Sequence, residues 1–302
     1  MDTHEFVGTA FIIGSALGFV LNSLTVWSIL TQRKLKQIHS AVYILFLQPI
    51  ITDIVFELIY ICYYARQYSR IALTQRNRTH QAPLIASPLG RYVSAVIDIV
   101  QSHCYYNNML SQISLAVNRF VVLVQLRFFT AKRAILLSIV QHLLALAITI
   151  GHKFVLPCCR LEFSYELFGY RAVTIPGVRD YASAYLTLPV KIACAAVPLI
   201  LYCSIFLTVR SIALKLETQS FERRRRRQQE LRFATQFAVI ALIFIFAAFA
   251  FPVLRLGNGT SNVKWIQALP VMLALLNCTS NAVVFLLNEK RKRCFIVCIP
   301  SS

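Results

Sequence analysis

The sequence is poor in charge: only 14% of its 302 residues are Asp, Glu, Lys or Arg, against about 25% in an average soluble domain. Acidic residues are scarcest, 12 against 31 Lys and Arg. With 57% of the chain hydrophobic, a soluble core of this size would not need so much apolar sequence, whereas a membrane bundle would. Patterns that hold metals or carry catalysis are also missing. None of the nine cysteines forms a C-x-x-C pair with histidine at zinc spacing. There is no H-E-x-x-H and no G-x-S-x-G, and His4, His39, His80, His103, His142 and His152 are scattered. No metal, no cofactor and no enzymatic activity are therefore expected. A cleavable signal peptide is not evident, because the first apolar run is too long and follows Asp2 and Glu5 rather than Lys or Arg. Internal repeats, the mark of many transporters, are absent.

What is present is a series of seven apolar runs, at 6–30, 41–64, 90–124, 134–156, 184–210, 233–256 and 265–288. Each is long enough for a membrane-spanning helix of roughly 20 residues. Seven such helices and short loops fill the chain, so the expected fold is an all-α membrane protein, one seven-helix bundle over 1–302 with a short cytoplasmic tail at 289–302. The formal net charge of +19 does not indicate nucleic acid, since most of the basic residues fall between the apolar runs.

Loop charge orients the bundle. With the N-terminus outside, the four inner segments hold 3, 4, 8 and 4 Lys and Arg, leaving 12 for the rest of the chain. The first run agrees: no basic residue precedes it, and Arg33, Lys34 and Lys36 follow it. Glycosylation sequons at Asn77 and Asn258 fall in loops that are outside in this topology. The C-terminus is then inside. Arg223–Arg227, five consecutive arginines in an inner loop, suit either an anchor on anionic lipid or a contact for a cytoplasmic partner.

Polar residues within the runs are the candidate functional groups. Asp53 and Glu57 lie one helical turn apart in the second run and share a face. Asn22 in the first run and Asn281 in the seventh can supply amides to them, either as a polar network with a functional role or as a knot that fixes helix register. In the third run Asp98, Gln101, Tyr105, Asn108, Gln112, Leu115 and Arg119 recur at alternating spacings of three and four, which lines them along one helix face. The upper members, Asp98, Gln101, Tyr105 and Asn108, are candidates to line a ligand cavity; interhelical hydrogen bonding is the plainer alternative. Arg119 ends the stripe, about 31 Å below Asp98 at the helical rise. Gly14 and Gly18 form a G-x-x-x-G contact motif, expected to pack within the bundle. Pro198 and Pro252 can kink the fifth and sixth helices.

These residues resemble a family. Gly18-Phe19-Val20-Leu21-Asn22, Asn118-Arg119-Phe120 and Gln229-Glu230-Leu231-Arg232-Phe233 with Gln236, set in seven spans, resemble rhodopsin-like G-protein-coupled receptors. Within these, the chain resembles the nematode serpentine chemoreceptors of class X. The resemblance implies a chemosensory receptor for an external small molecule, with a heterotrimeric G protein as partner. It implies a place in the plasma membrane, in sensory cilia if the chemosensory role holds.

Residue by residue, the resemblance makes Asn22 and Asp53 the polar pair of helices one and two. It makes Asn118-Arg119-Phe120 the counterpart of the Asp-Arg-Tyr motif, with Arg119 facing the G protein and Glu230 its resting partner. Asn281-Ala282-Val283-Val284-Phe285 resembles the Asn-Pro-x-x-Tyr motif without its proline and tyrosine. Ser94 stands where the family usually has a disulfide cysteine. That leaves Cys158 or Cys159 to bridge elsewhere, to Cys62 or Cys104, or not at all. Gln101 stands where amine receptors carry aspartate, so an amine ligand is not implied. Cys294 and Cys298 are candidate palmitoylation sites. The alternative function is a ligand-gated channel or transporter that uses Asp53, Glu57 and Asp98 as an ion path.

Overall fold

The computed structural model describes residues 3–34, 40–64, 88–125, 129–156, 161–164, 169–172, 177, 180–214, 235, 238–239, 241–243, 245–246 and 268–297. Seven helices form the bundle. They are α1 (Thr3–Lys34), α2 (Ser40–Ile59), α3 (Pro88–Leu123), α4 (Ala131–Ile150), α5 (Leu188–Leu214), α6 (the helical residues within 235–246) and α7 (Leu269–Val297). The seventh apolar run was expected to end at Asn288, but α7 continues through the basic stretch Lys290–Arg293 to Val297. Between α4 and α5 the backbone pairs as an antiparallel hairpin, β1 (Leu161–Ser164) with β2 (Gly169–Ala172), in the register Leu161 opposite Ala172. Strand pairing satisfies N–H and C=O groups there that no helix does.

Local chemistry sets several boundaries. Thr130, extended at φ −77° and ψ 155°, caps α4 by accepting from the Arg133 N–H, the usual N-cap geometry. At its far end α4 widens into a turn of π-helix, Gly151–Val155, and stops at Leu156, which is extended at φ −81° and ψ 132°. Pro157 follows, and the residue before a proline is driven out of the helical region. Two further π turns, Tyr60–Tyr64 at the end of α2 and Ala182–Thr187 leading into α5, lie at the same end of the bundle as the hairpin. Single π turns inside helices frequently mark functional sites.

Among the described residues, four helices, in the stretches Phe6–Thr31, Tyr43–Tyr64, Ala131–Val155 and Ala184–Thr208, are long and apolar enough to cross a membrane. Their outer faces expose Leu17, Trp27, Leu136, Leu143, Ile200 and Leu207, an apolar girdle that suits lipid and not water. α3 has the length but not the composition, because its polar stripe displaces apolar residues. It sits in the middle, packed on α2, α4 and α5, where polar side chains find partners on neighbouring helices instead of hydrocarbon.

Three apolar clusters tie the bundle together. Phe11, Phe56, Tyr60 and Tyr64 join α1, α2 and α7 near the hairpin end. Tyr106, Met109, Ile148 and Cys194 join α3, α4 and α5. Ile29, Leu45, Leu115, Tyr202, Ile205 and Ala241 close the opposite end, bringing α6 into the core. Gly14 and Gly18 pack inside the bundle: Gly14 faces Leu275 of α7, and Gly18 faces Glu57 of α2 and Thr279 of α7.

Candidate ligand and signalling site

Three polar layers cross the bundle along α3. The layer at the hairpin end contains three of the expected ligand residues. Asp98 is ion-paired with Lys153 of the π turn that ends α4. Gln101 is enclosed: its oxygen accepts from the Tyr64 hydroxyl at 2.5 Å and its amide donates to the Tyr60 hydroxyl at 3.1 Å. Tyr105 stacks edge-on against Tyr106, and the Lys191 ammonium of α5 lies 6.0 Å from its ring centroid. Tyr106 in turn meets the Thr187 hydroxyl at 3.2 Å and the His152 ring edge-on at 6.2 Å. His152 is 2% exposed, and among the described residues neither ring nitrogen has a hydrogen-bond partner. A lysine far inside a spanning helix costs about 2.5–3.5 kcal/mol. A cation over a ring at the limit of contact offsets only about 0.5–1 kcal/mol of that.

The middle layer holds the two buried acids. Asp53 accepts from Asn108 of α3 at 2.5 Å and from Asn281 of α7 at 3.1 Å, one amide to each carboxylate oxygen. Glu57 accepts from the Asn22 amide at 3.0 Å to both oxygens. Both acids are fully buried. Of the two acids open to the Asn22 amide, it serves Glu57, whereas the family resemblance implied a pairing with Asp53. Asn108, expected in a ligand cavity, is the residue that ties α3 to Asp53.

Beside it lies a knot that the stripe alone does not reveal. The Gln141 amide of α4 donates to Asn107 Oδ1 at 3.0 Å and to its backbone oxygen at 3.1 Å. Asn107 donates to Thr52 at 2.8 Å and accepts from Gln48 at 3.2 Å, and Ser114 donates to Gln141 at 2.7 Å. Gln48 and Thr52, one turn apart on α2, were a legible pair, as was Gln141 alone in an apolar run. Their common partner was not, because it neighbours the stripe instead of belonging to it.

The third layer is at the other end. Asn118 and Arg119 are buried, at 1% and 3% exposure, and among the described residues neither polar atom of the Asn118 side chain has a hydrogen-bond partner. Tyr202 of α5 is buried in the apolar cluster at this same end of the bundle. Phe120 packs against the surrounding apolar cluster. Phe285, at the altered end of the helix-seven motif, stacks on Phe46 at 5.2 Å and meets Tyr43 edge-on.

Cys62 and Cys104 are free thiols, so neither bridges to Cys158 or Cys159, and the alternative bridges considered from the sequence are removed. Asn77, Cys158, Cys159, the Arg223–Arg227 run, Glu230, Pro252, Asn258 and Cys298 lie outside the described residues, and Cys294 is known only as a backbone position in α7. Among the described residues no group of three or more His, Cys, Asp or Glu side chains is placed to hold a metal ion.

With this geometry in place, comparison with known proteins adds three findings. The family described as serpentine type 7TM GPCR chemoreceptor Srx matches residues 11–288. No curated protein matches. Among solved structures, the chain is similar to squid rhodopsin at a TM-score of 0.69 and 14% identity, over 94% of this chain and 78% of that one. At that identity the likeness shows the fold alone.

Proposed function

The chain belongs to the Srx family of serpentine seven-transmembrane G-protein-coupled chemoreceptors, and from that membership we propose how its two ends divide the work. A small molecule enters from the outside at the hairpin end and binds beside α3, among Asp98, Gln101, Tyr105 and their neighbours. A heterotrimeric G protein engages the opposite end, where Asn118, Arg119 and Phe120 close α3 and Glu230 is Arg119's resting partner. The N-terminus is outside and the C-terminus inside, with Asn77 and Asn258 glycosylated and Cys294 and Cys298 candidate lipid anchors. The protein resides in the plasma membrane, in sensory cilia where it serves chemoreception.

One observation carries this reading: a single polar face of α3 runs from the Asp98–Lys153 pair to the buried Arg119. A ligand shifts a resting equilibrium only through its differential affinity for the two states. A helix with polar contacts at both ends and in its middle can couple such a difference to the far side. Asn118, buried without a partner, supports a resting state that is not fully satisfied. An orphaned polar group of this kind costs about 1–3 kcal/mol, which rearrangement on G-protein binding would relieve.

The test is G-protein nucleotide exchange measured with the wild type and Arg119→Ala in the same membranes. Loss of exchange in the variant at unchanged surface expression is the expected result; equal exchange removes Arg119 from the role. Asn77→Gln and Asn258→Gln should each remove one glycosidase-sensitive mass step, and an unchanged mass in both would overturn the orientation.

A further inference from the structure

Lys191 has no role in the arrangement so far. It lies seven residues into the span Ala184–Thr208, about 10 Å along the helix axis. The residues on its own face are buried: Thr187 one turn before it, bonded to Tyr106 of α3, and Cys194 and Pro198 after it. Ile192 and Leu199 occupy the lipid-facing side. Lys191 thus projects toward α3 rather than the lipid, and its ammonium stands over the Tyr105 ring at 6.0 Å, the outer limit of cation–π contact.

Charge balance isolates it further. Asp98 is taken by Lys153. Glu57 is bonded to Asn22. Among the described residues no carboxylate pairs with Lys191. The nearby His152 is buried with both ring nitrogens unpartnered. Among the described residues, one cation without a carboxylate partner, two tyrosine rings and an imidazole without hydrogen bonds come together at the hairpin end, where the three described π turns lie. An intramembrane ionisable group of this kind calls for an anion.

Resting on the reading that the ligand binds at this end, we propose that Lys191 anchors an acidic ligand, a small carboxylic acid whose carboxylate pairs with the ammonium and whose body lies against Tyr105 and Tyr106. A charge-assisted bond from an ammonium to a carboxylate is the strong kind. An amine ligand would place like charge beside Lys191 and is disfavoured.

The experiment uses the full-length purified receptor in detergent, with melting temperature as readout. The probes are butyrate, hexanoate, benzoate and phenylacetate, each beside its amide and the amine of equal length. At least one carboxylate raises the melting temperature of the wild type, and its amide and amine do not. Lys191→Met and Lys191→Gln weaken that carboxylate tenfold or more, while Lys191→Arg retains it. Comparing acid with amide needs no variant, so the proposal stays testable if a substitution fails to fold. A wild type stabilised by none of the carboxylates overturns it. Equal stabilisation by acid and amide, or a shift that persists in folded Lys191→Met, does the same. No G protein takes part, so Lys191-dependent binding without Arg119-dependent exchange upholds this site and sinks the coupling role. The reverse result upholds coupling and sinks the acidic ligand.

Discussion

Gly18 of α1 and Glu57 of α2 share one space: a Cβ built on Gly18 would overlap the Glu57 carboxylate and stand 2.8 Å from the Thr279 hydroxyl. The glycine lets α1 approach closely enough for Asn22, one turn further along, to bond both Glu57 oxygens. Small residues at helix contacts serve this purpose in membranes, where packing and hydrogen bonds replace the hydrophobic effect between helices.

Gly18→Ala should therefore destabilise the bundle by about 1–3 kcal/mol, the usual cost of overfilling a packed interior. The carboxylate is the end of a flexible side chain, but its bonds to Asn22 hold it in place. Thermal unfolding of the purified protein measures the effect, and a melting temperature equal to wild type would show that Glu57 yields freely.

Asp53→Asn changes almost no volume and removes one acceptor. Asn108 and Asn281 each donate to a separate oxygen of Asp53, and an asparagine offers only one oxygen. One buried amide loses its partner, at about 1–3 kcal/mol. A double-mutant cycle with Asn281→Ala should show strong coupling; additive losses would mean that the two residues do not interact.

Lys153→Met leaves Asp98 beside a buried methionine. Removing one partner of a dry ion pair costs about 3–5 kcal/mol. The Asp98 side chain is 20% exposed, so the loss here should fall below that range. Adding Asp98→Asn to Lys153→Met should restore most of the stability, because the charge that Lys153 had neutralised is then gone as well. A double variant no better than the single one would indicate that Asp98 is stabilised by something other than Lys153.

Gln141→Leu suits the apolar run of α4, yet it removes the amide that holds Asn107 and the oxygen that accepts from Ser114. Unfolding experiments should show a loss of about 1–3 kcal/mol, where a lipid-facing substitution such as Leu143→Ala should show little. Comparable effects at the two sites would count against the knot.

The thiols offer a simpler check. Cys62 is exposed and free, so a maleimide should label it in the purified protein without prior reduction. Labelling that requires a reductant would reveal a bridge.

Much of the fold was legible because hydrophobic length in a bilayer is a strong constraint: a run of about 20 apolar residues has no other comfortable conformation there. The polar stripe of α3 was legible for a related reason, since polar residues at helical spacing must face inward. The partners of that stripe were not legible. For Asn108 a ligand cavity and interhelical hydrogen bonding both stood open, and the Asn22 amide suited either buried acid, with Asp53 implied by the resemblance alone. Both assignments depend on the relative rotation and height of helices far apart in sequence, which periodicity within one helix does not contain.

Taken alone, the sequence determined the number of spans, the inward face of α3 and the positions of its ionisable residues, because each follows from local composition and the 3.6-residue period. Only the tertiary structure decided which groups meet. It gave Glu57 to Asn22, Asp53 to Asn108 and Asn281, and Asp98 to Lys153, and among the described residues it left Lys191 with no carboxylate partner. The reason is that a hydrogen bond or ion pair is a relation between two helices, fixed by how closely and at what height they pack. Gly18 shows that a single absent side chain can set that distance.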